Sequence, residues 1–422
     1  MKVSPRETRF EAMALNNGTP RSQTPRRCLT MLVGAVLLQQ SLAWSQALPV
    51  ASPESVGMSS QRLEKITTAM QAEIDQKRLP GAVVMVARKG KLVYSKAFGG
   101  LNNEASALAQ TDSVFRIYSM TKPMVSVALM MLVEDGKVQL TDPVSKYLPS
   151  FKNPMVSVAT HDPLYNGVSF KLVPAHREPT LQDLLRHTSG LAYGELTKNT
   201  LVKQAYTDAG IYITARDFDA RNLSGSDMAE RLGKAPLAQQ PGTVWEYSLS
   251  VDVQGRVIEA VTGQRLNDFM QQRLFKPLKM NDTGFELPAA KKARLAEPFA
   301  IDPLTNQPNK LIDVSQTPGN DSGGAGGVST APDYMRFCQA MLNGGQLEGA
   351  RILSRTTVQL MTADHLGNAI ASSTDAAHAL AWEQSQLGEA SAETLVDAEY
   401  FEELVATWSL IASERYSELL YD

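Results

Sequence analysis

Cysteine is almost missing from this chain of 422 residues, which holds only Cys28 and Cys338. Cys28 lies in an N-terminal leader, so Cys338 would stand alone in the mature chain and no intramolecular disulfide framework is expected. Histidine is nearly as scarce. The five, at positions 161, 176, 187, 365 and 378, show no paired ligand spacing, and no metal site is expected. Neither sign of charge is in excess: 20% of residues are charged and the net charge is −3, which argues against a nucleic-acid binder. No apolar run reaches the roughly eighteen residues of a membrane span. What is present is a hydrophobic share of 43%, ample for the core of one large domain or two intermingled ones.

Residues 1–47 read as an address. Six basic and two acidic residues precede "CLTMLVGAVLL" (28–38), and the small residues Ala43, Ser45 and Ala47 follow where a signal peptidase could cut. Arg26 and Arg27 ahead of the apolar run suggest twin-arginine export. The expected location is the periplasm or the outside of a bacterial-type cell, with no stable membrane span once the signal is removed.

No internal repeat is visible in the body, residues 48–366. Leu63, Ile66, Met70 and Ile74 recur at helical spacing, with Ser59 or Ser60 as a cap. "GAVVMVARKGKLVYSKAFGG" (81–100) is two β-rich runs around a polar turn, a strand hairpin. Residues 139–330 are rich in Pro, Gly and short helical patterns and predict a mostly helical insertion with long loops. "GNDSGGAGGVSTAPDYMRFCQAMLNGG" (319–345) predicts a glycine-rich turn feeding a helix capped by Thr330 or Asp333 and ended by Gly344 and Gly345. One more helix is expected within 354–367.

The chemistry concentrates in "FRIYSMTKPMVSVALMMLVEDGKV" (115–138). Ser119 and Lys122 are three apart at the mouth of an apolar run, which puts them on one side of a helix start. That end of a helix has N–H groups without partners and a positive dipole, favouring negative charge on the serine oxygen. Pro123 is tolerated so early because its missing N–H costs little there. The arrangement suits an activated serine whose lysine neighbour shares a proton. The plainer alternative is that Ser119 only caps a buried helix while Lys122 faces water. In "PGTVWEYSLSVDVQGRVIEAVTG" (241–263), Val253, Val257, Ile258 and Val261 recur at helical spacing, and Tyr247 stands in the loop before them. A phenol held toward a cleft is a candidate general base, although most tyrosines only pack.

Taken together, "YSMTK" (118–122), "LLRHTSGL" (184–191), "PGTVWEYS" (241–248) and "GGAGGVSTAPDYMRF" (323–337) resemble the serine β-lactamase and penicillin-binding superfamily. The resemblance is to its class C-like branch, nearest to the family VIII carboxylesterases, and runs from about residue 55 to 366. It implies an α/β (α+β) fold, a sandwich of an antiparallel sheet with flanking helices plus an inserted helical domain, with the active site between them. It further implies that Ser119 is the acylated nucleophile, that Lys122 shares its proton, and that Tyr247 takes the serine proton and later activates water. The Ser119 backbone N–H becomes half of an oxyanion hole. No cofactor is implied.

β-Lactamases and peptidases of this group usually have Tyr-x-Asn where this chain has Leu249 in third place. Leucine offers nothing to a lactam or peptide amide, which favours ester hydrolysis. The Gly-x-Ser-x-Gly elbow of a different esterase fold is absent, and "HTSG" (187–190) reads as a structural helix-end turn. The third motif of the group, Lys-Thr-Gly or a variant on a strand beside the serine, is not found. "HLG" (365–367) has one permitted form but directly follows a helix. From Gly367 to Asp422 there are eleven acidic residues, one basic residue and no proline, whereas residues 48–366 carry a small basic excess. This tail lacks the turns and alternation of closing strands. It is expected to be a shifted reading frame or a replaced end.

The sequence therefore predicts a serine hydrolase for small or short-chain esters working through an acyl-enzyme. A β-lactamase or D-alanyl-D-alanine carboxypeptidase on the same fold is one alternative. An inactive relative that only binds cell-wall peptides or acyl groups is another. The partner is a small ester or lactam, not nucleic acid, and the oligomeric state is not legible. Sequencing the gene across codon 367 is expected to reveal a frame change; an unaltered frame would make the tail native.

Overall fold

The computed structural model describes residues 48–102, 107–162, 167–211, 222–303, 306–309, 311–367 and 370–372. Residues 1–47, the expected leader, and residues 373–422 of the acidic tail lie outside the described residues.

Helix α1 (Ser60–Asp75) begins where expected, with Ser59 as its cap: the Ser59 hydroxyl accepts from the Arg62 N–H at 3.2 Å. Strands β1 (Gly81–Arg88) and β2 (Lys91–Gly99) form the antiparallel hairpin, with a register shift between Val86 and Ala87. β1 is a continuous apolar run because both of its faces are covered. Val84 and Val86 join Leu63, Tyr94 and Phe98 in a cluster under α1. Val83 and Met85 point the other way, into the main core.

β3 (Val114–Arg116) leads to α2 (Thr121–Glu134), the centre of the main core. Met124, Val125 and the run from Val127 to Leu132 are at most 2% exposed, so this helix is buried along most of its length. The α-helix starts at Thr121, not at Ser119. Residues Tyr118–Met120 form a separate 3₁₀ turn ahead of it, and no side chain caps the junction.

Next come β4 (Met155–Asp162) and β5 (Gly167–Pro174), a long antiparallel hairpin. It was not anticipated within the mostly helical 139–330 stretch. Its root is anchored by Val156, which bridges to Leu237, and by Ser157, which donates to Asn199 Oδ1 at 3.0 Å. The helices of this stretch are α3 (Leu181–Leu185), α4 (Thr200–Asp208) and α5 (Gly225–Lys234), then, after β6 (Val244–Trp245), α6 (Ser250–Thr262) and α7 (Leu266–Met270). In α6, Val253, Val257 and Ile258 are buried against the main core, as their spacing predicts.

β7 (Val328–Thr330) pairs antiparallel with β3, Phe115 opposite Ser329, and so brings the glycine-rich turn beside the start of α2. α8 (Ala331–Leu342) follows, capped by Thr330 and stopped by Gly344 and Gly345, both at positive φ. Cys338 on α8 packs against the main core, and burial pushes its thiol up to about 12. The described residues end with the two-residue strands β8 (Gln346–Leu347) and β9 (Ala350–Arg351), helix α9 (Arg355–Met361) and β10 (Ala371–Ser372), which lies parallel to β6. Among the described residues the sheets are all two-stranded.

"HTSG" is the helix-end turn its sequence predicts. Asp183 in α3, with a fully buried side chain, anchors it by accepting from Thr188 Oγ1 at 2.9 Å, from Arg177 Nη2 at 3.0 Å and from Arg186 Nη2 at 3.0 Å. Burial alone would raise this carboxyl; the bonds from Arg177 and Thr180 and the arginine charge outweigh it and hold it at about 2. A carboxylate depressed in the folded state contributes stability above its ordinary 3.8, and that contribution is lost as pH falls toward 2. Asp183→Ala is expected to cost about 2–4 kcal/mol at pH 7 in denaturant unfolding, and much less near pH 2. A change under about 0.5 kcal/mol at pH 7 would mean that solvent replaces the carboxylate.

Candidate active site

Ser119 is presented by a backbone clamped on both sides. Ile117 N–H donates to the Gly327 carbonyl at 3.0 Å, and Gly327 N–H donates to Thr121 Oγ1 at 3.0 Å. The Tyr334 hydroxyl donates to the Met120 carbonyl at 3.1 Å. Tyr118, directly before the serine, has φ 39°, a left-handed conformation that a tyrosine adopts only under constraint. The result is an exposed Ser119 side chain just ahead of a buried helix.

Lys122, in the first turn of α2, is only 8% exposed. Its ammonium donates to Ser119 Oγ at 3.0 Å and to the Gly324 carbonyl at 2.9 Å. A third side rests over the Tyr247 ring, 4.4 Å from the centroid. The Tyr247 hydroxyl in turn donates to Ser119 Oγ at 2.7 Å. The three residues named from sequence therefore meet at one oxygen, although Tyr247 is 128 positions from the serine.

Leu249, the departure from Tyr-x-Asn, packs against the main core rather than offering a donor. The "HLG" segment is no strand: Asp364 Oδ1 accepts from the N–H groups of Leu366 and Gly367, Gly367 has φ 53°, and the His365 carbonyl accepts from Arg186 Nη1 at 3.3 Å.

The sequence reading missed the residues that hold Tyr247. His187, itself at φ 55°, lies against the tyrosine with ring centroids 5.2 Å apart, and Tyr193 flanks the phenol at the same distance. His187 Nδ1 is 3.1 Å from Ser248 Oγ. That hydroxyl is 2.8 Å from Ser250 Oγ, which is 2.8 Å from Ser189 Oγ. The serines of "HTSG" and "YSLS" thus form one buried chain of hydroxyls that ties the two loops together. Burial pushes the Tyr193 phenol well above its ordinary value, so it stays protonated and is no rival base to Tyr247. Among the described residues, no cluster of His, Cys, Asp and Glu could hold a metal ion.

A serine oxygen receiving an amine and a phenol, at the start of an apolar helix beside an antiparallel sheet, defines a class of serine hydrolase. The chain belongs to the Beta-lactamase family, whose model matches residues 64–405. Esterase EstB of Burkholderia gladioli is similar, 32% identical over 300 residues, covering 66% of this chain and 69% of that protein. Lovastatin esterase of Penicillium rubens is 31% identical over 326 residues, covering 74% and 75%. Among solved structures, EstCE1, described as a hydrolase with promiscuous acyltransferase activity, aligns with TM-score 0.58 at 27% identity over 72% of this chain and 77% of its own.

Burial and, second, the charge on Lys122 push His187 down to about 3. The neutral ring therefore contributes stability above its ordinary 6.5, which fades as pH falls toward 3. Nitrogen-15 NMR of labelled imidazoles is expected to find His187 uncharged at pH 5; an imidazolium signal there would contradict this packing.

Proposed function

We propose that this protein is a carboxylesterase for small or short-chain esters, acting through an acyl-enzyme on Ser119. The observation that carries the reading is the meeting of Lys122 Nζ and Tyr247 OH on Ser119 Oγ, at 3.0 and 2.7 Å. In the first half-reaction Tyr247 acts as the phenolate, its own proton shared with Lys122; Ser119 Oγ attacks the ester carbonyl carbon and its proton passes to the Tyr247 oxygen. The carbonyl oxygen becomes an oxyanion, stabilised by the Ser119 N–H at the positive end of α2. As the intermediate collapses, the C–O bond to the alcohol breaks and the alkoxide takes a proton from Tyr247. Lys122 anchors the serine throughout and faces the phenol ring, sharing the proton that the phenol gives up. Water then repeats the sequence: it gives a proton to Tyr247, attacks the acyl carbon, and releases the acid while Ser119 regains its hydrogen.

Esters are favoured over lactams because Leu249 supplies no amide at the substrate. An alkoxide also needs less assistance in leaving than an amine. Similarity to the two esterases supports the same choice. The leader in residues 1–47 supports action in the periplasm or outside the cell. The third motif, whose strand would bring the second oxyanion N–H, is not found in the sequence, which is the feature that favours the alternative of an inactive binding relative.

Three measurements decide between these. A fluorophosphonate is expected to label Ser119, and Ser119→Ala to abolish both labelling and hydrolysis of a short p-nitrophenyl ester. Tyr247→Phe should lower kcat by about 10²–10⁴. A chromogenic cephalosporin should be turned over far more slowly than the ester. Folded protein whose Ser119 resists labelling would favour the binder, and faster cephalosporin turnover would favour the lactamase.

A further inference from the structure

Among the described residues Lys122 forms no ion pair with a carboxylate, and besides the serine its acceptor is the Gly324 carbonyl. What fixes that carbonyl therefore fixes the lysine.

The turn that carries it is held by Asp252, directly at the peptide before the carbonyl and through Ser322 at the carbonyl's own peptide; Asp252 lies in the first turn of α6 and is only 4% exposed. Asp252 Oδ1 accepts from the Gly324 N–H at 3.2 Å and from Ser322 Oγ at 2.6 Å. The Ser322 hydroxyl oxygen accepts in turn from Ala325 N–H at 3.1 Å, and Gly326 N–H donates to the Ser322 carbonyl at 2.9 Å. One buried carboxylate thus gathers the whole 322–326 turn. Gly324 is the residue that lets it come so close. A Cβ there would lie 2.3 Å from Asp252 Oδ2 and 3.0 Å from the Tyr193 hydroxyl. Asp252 also rides on the helix that directly follows the Tyr247 loop. The same helix thereby aims both partners of Ser119, the phenol through its leading loop and the amine through Gly324.

We propose that Asp252 is a positioning residue for the reaction: through Ser322 and Gly324 it holds Lys122 in line with Ser119, without touching substrate. Nothing in the group's sequence motifs assigns it this task. The inference rests on the proposed role of Ser119 and Lys122.

The test compares Asp252→Ala, Asp252→Asn and Ser322→Ala with the parent protein. It reads fluorophosphonate labelling of Ser119 and steady-state hydrolysis of a short p-nitrophenyl ester. Asp252→Ala is expected to slow labelling and to lower kcat about a hundredfold, with KM within about twofold, because a small misplacement of a catalytic group costs that much. Asp252→Asn keeps an acceptor oxygen and should recover most of the loss. Ser322→Ala leaves the carboxylate but frees the turn, and about a tenfold loss in kcat is expected. Folded Asp252→Ala that labels and turns over like the parent overturns the inference. So does an equal rise in KM and fall in kcat that Asp252→Asn does not rescue. Should Asp252→Ala fail to fold, Ser322→Ala decides: an unchanged kcat overturns the proposal. Failure of the parent protein itself to label is a different result and counts against the proposed function instead.

Discussion

The site depends on one oxygen accepting two hydrogen bonds from elements that have no reason to meet locally. Lys122 reaches Ser119 from one turn away, but Tyr247 must be delivered across the molecule. The delivery is a packing result. α2 is buried along most of its length, apolar but for Lys122 and Ser126, and serves as the post against which α6 is set. Polar pegs fix the register. Ser126 Oγ donates to Gln254 Oε1 at 3.0 Å, and Gln254 Nε2 donates to the Leu184 carbonyl at 3.0 Å. A fully buried amide so satisfied tolerates one register and penalises others, since any slip leaves its groups unpaired.

Much of this was legible in the sequence where local rules and burial agree. The α1 spacing, the hairpin around "RKGK" and the Thr330-capped helix each follow a short-range pattern, and each forms. The Ser-x-x-Lys pair and the tyrosine were legible as residue types at their positions. The start of α2 was less so, because a 3₁₀ turn and an α-helix share the same composition. The β4–β5 hairpin was missed for a related reason: among its described side chains only Val156 and Ser157, at the root, are buried, so the pattern of alternation carried little signal.

The supports of the site were the least legible part. His187 and Tyr247 touch across sixty positions, and nothing in either segment announces the other. Asp252 did leave a trace. It is a carboxylate between Val251 and Val253 in a helix whose first nine residues are all buried, and such a charge must have partners. The glycines at 323–327 complete the thought, since so much missing side-chain volume implies a close neighbour.

Cys338 has a practical consequence. The mature chain would carry one thiol, packed on the main core and raised to about 12, where almost no thiolate forms. Thiolate chemistry at this site is therefore slow, and a lone thiol has no intramolecular pairing to scramble. If the enzyme is exported, its maturation owes nothing to the redox state of the compartment. With Cys28 removed there is no intramolecular disulfide to form, so the mature chain should fold in a reducing medium as readily as in an oxidising one.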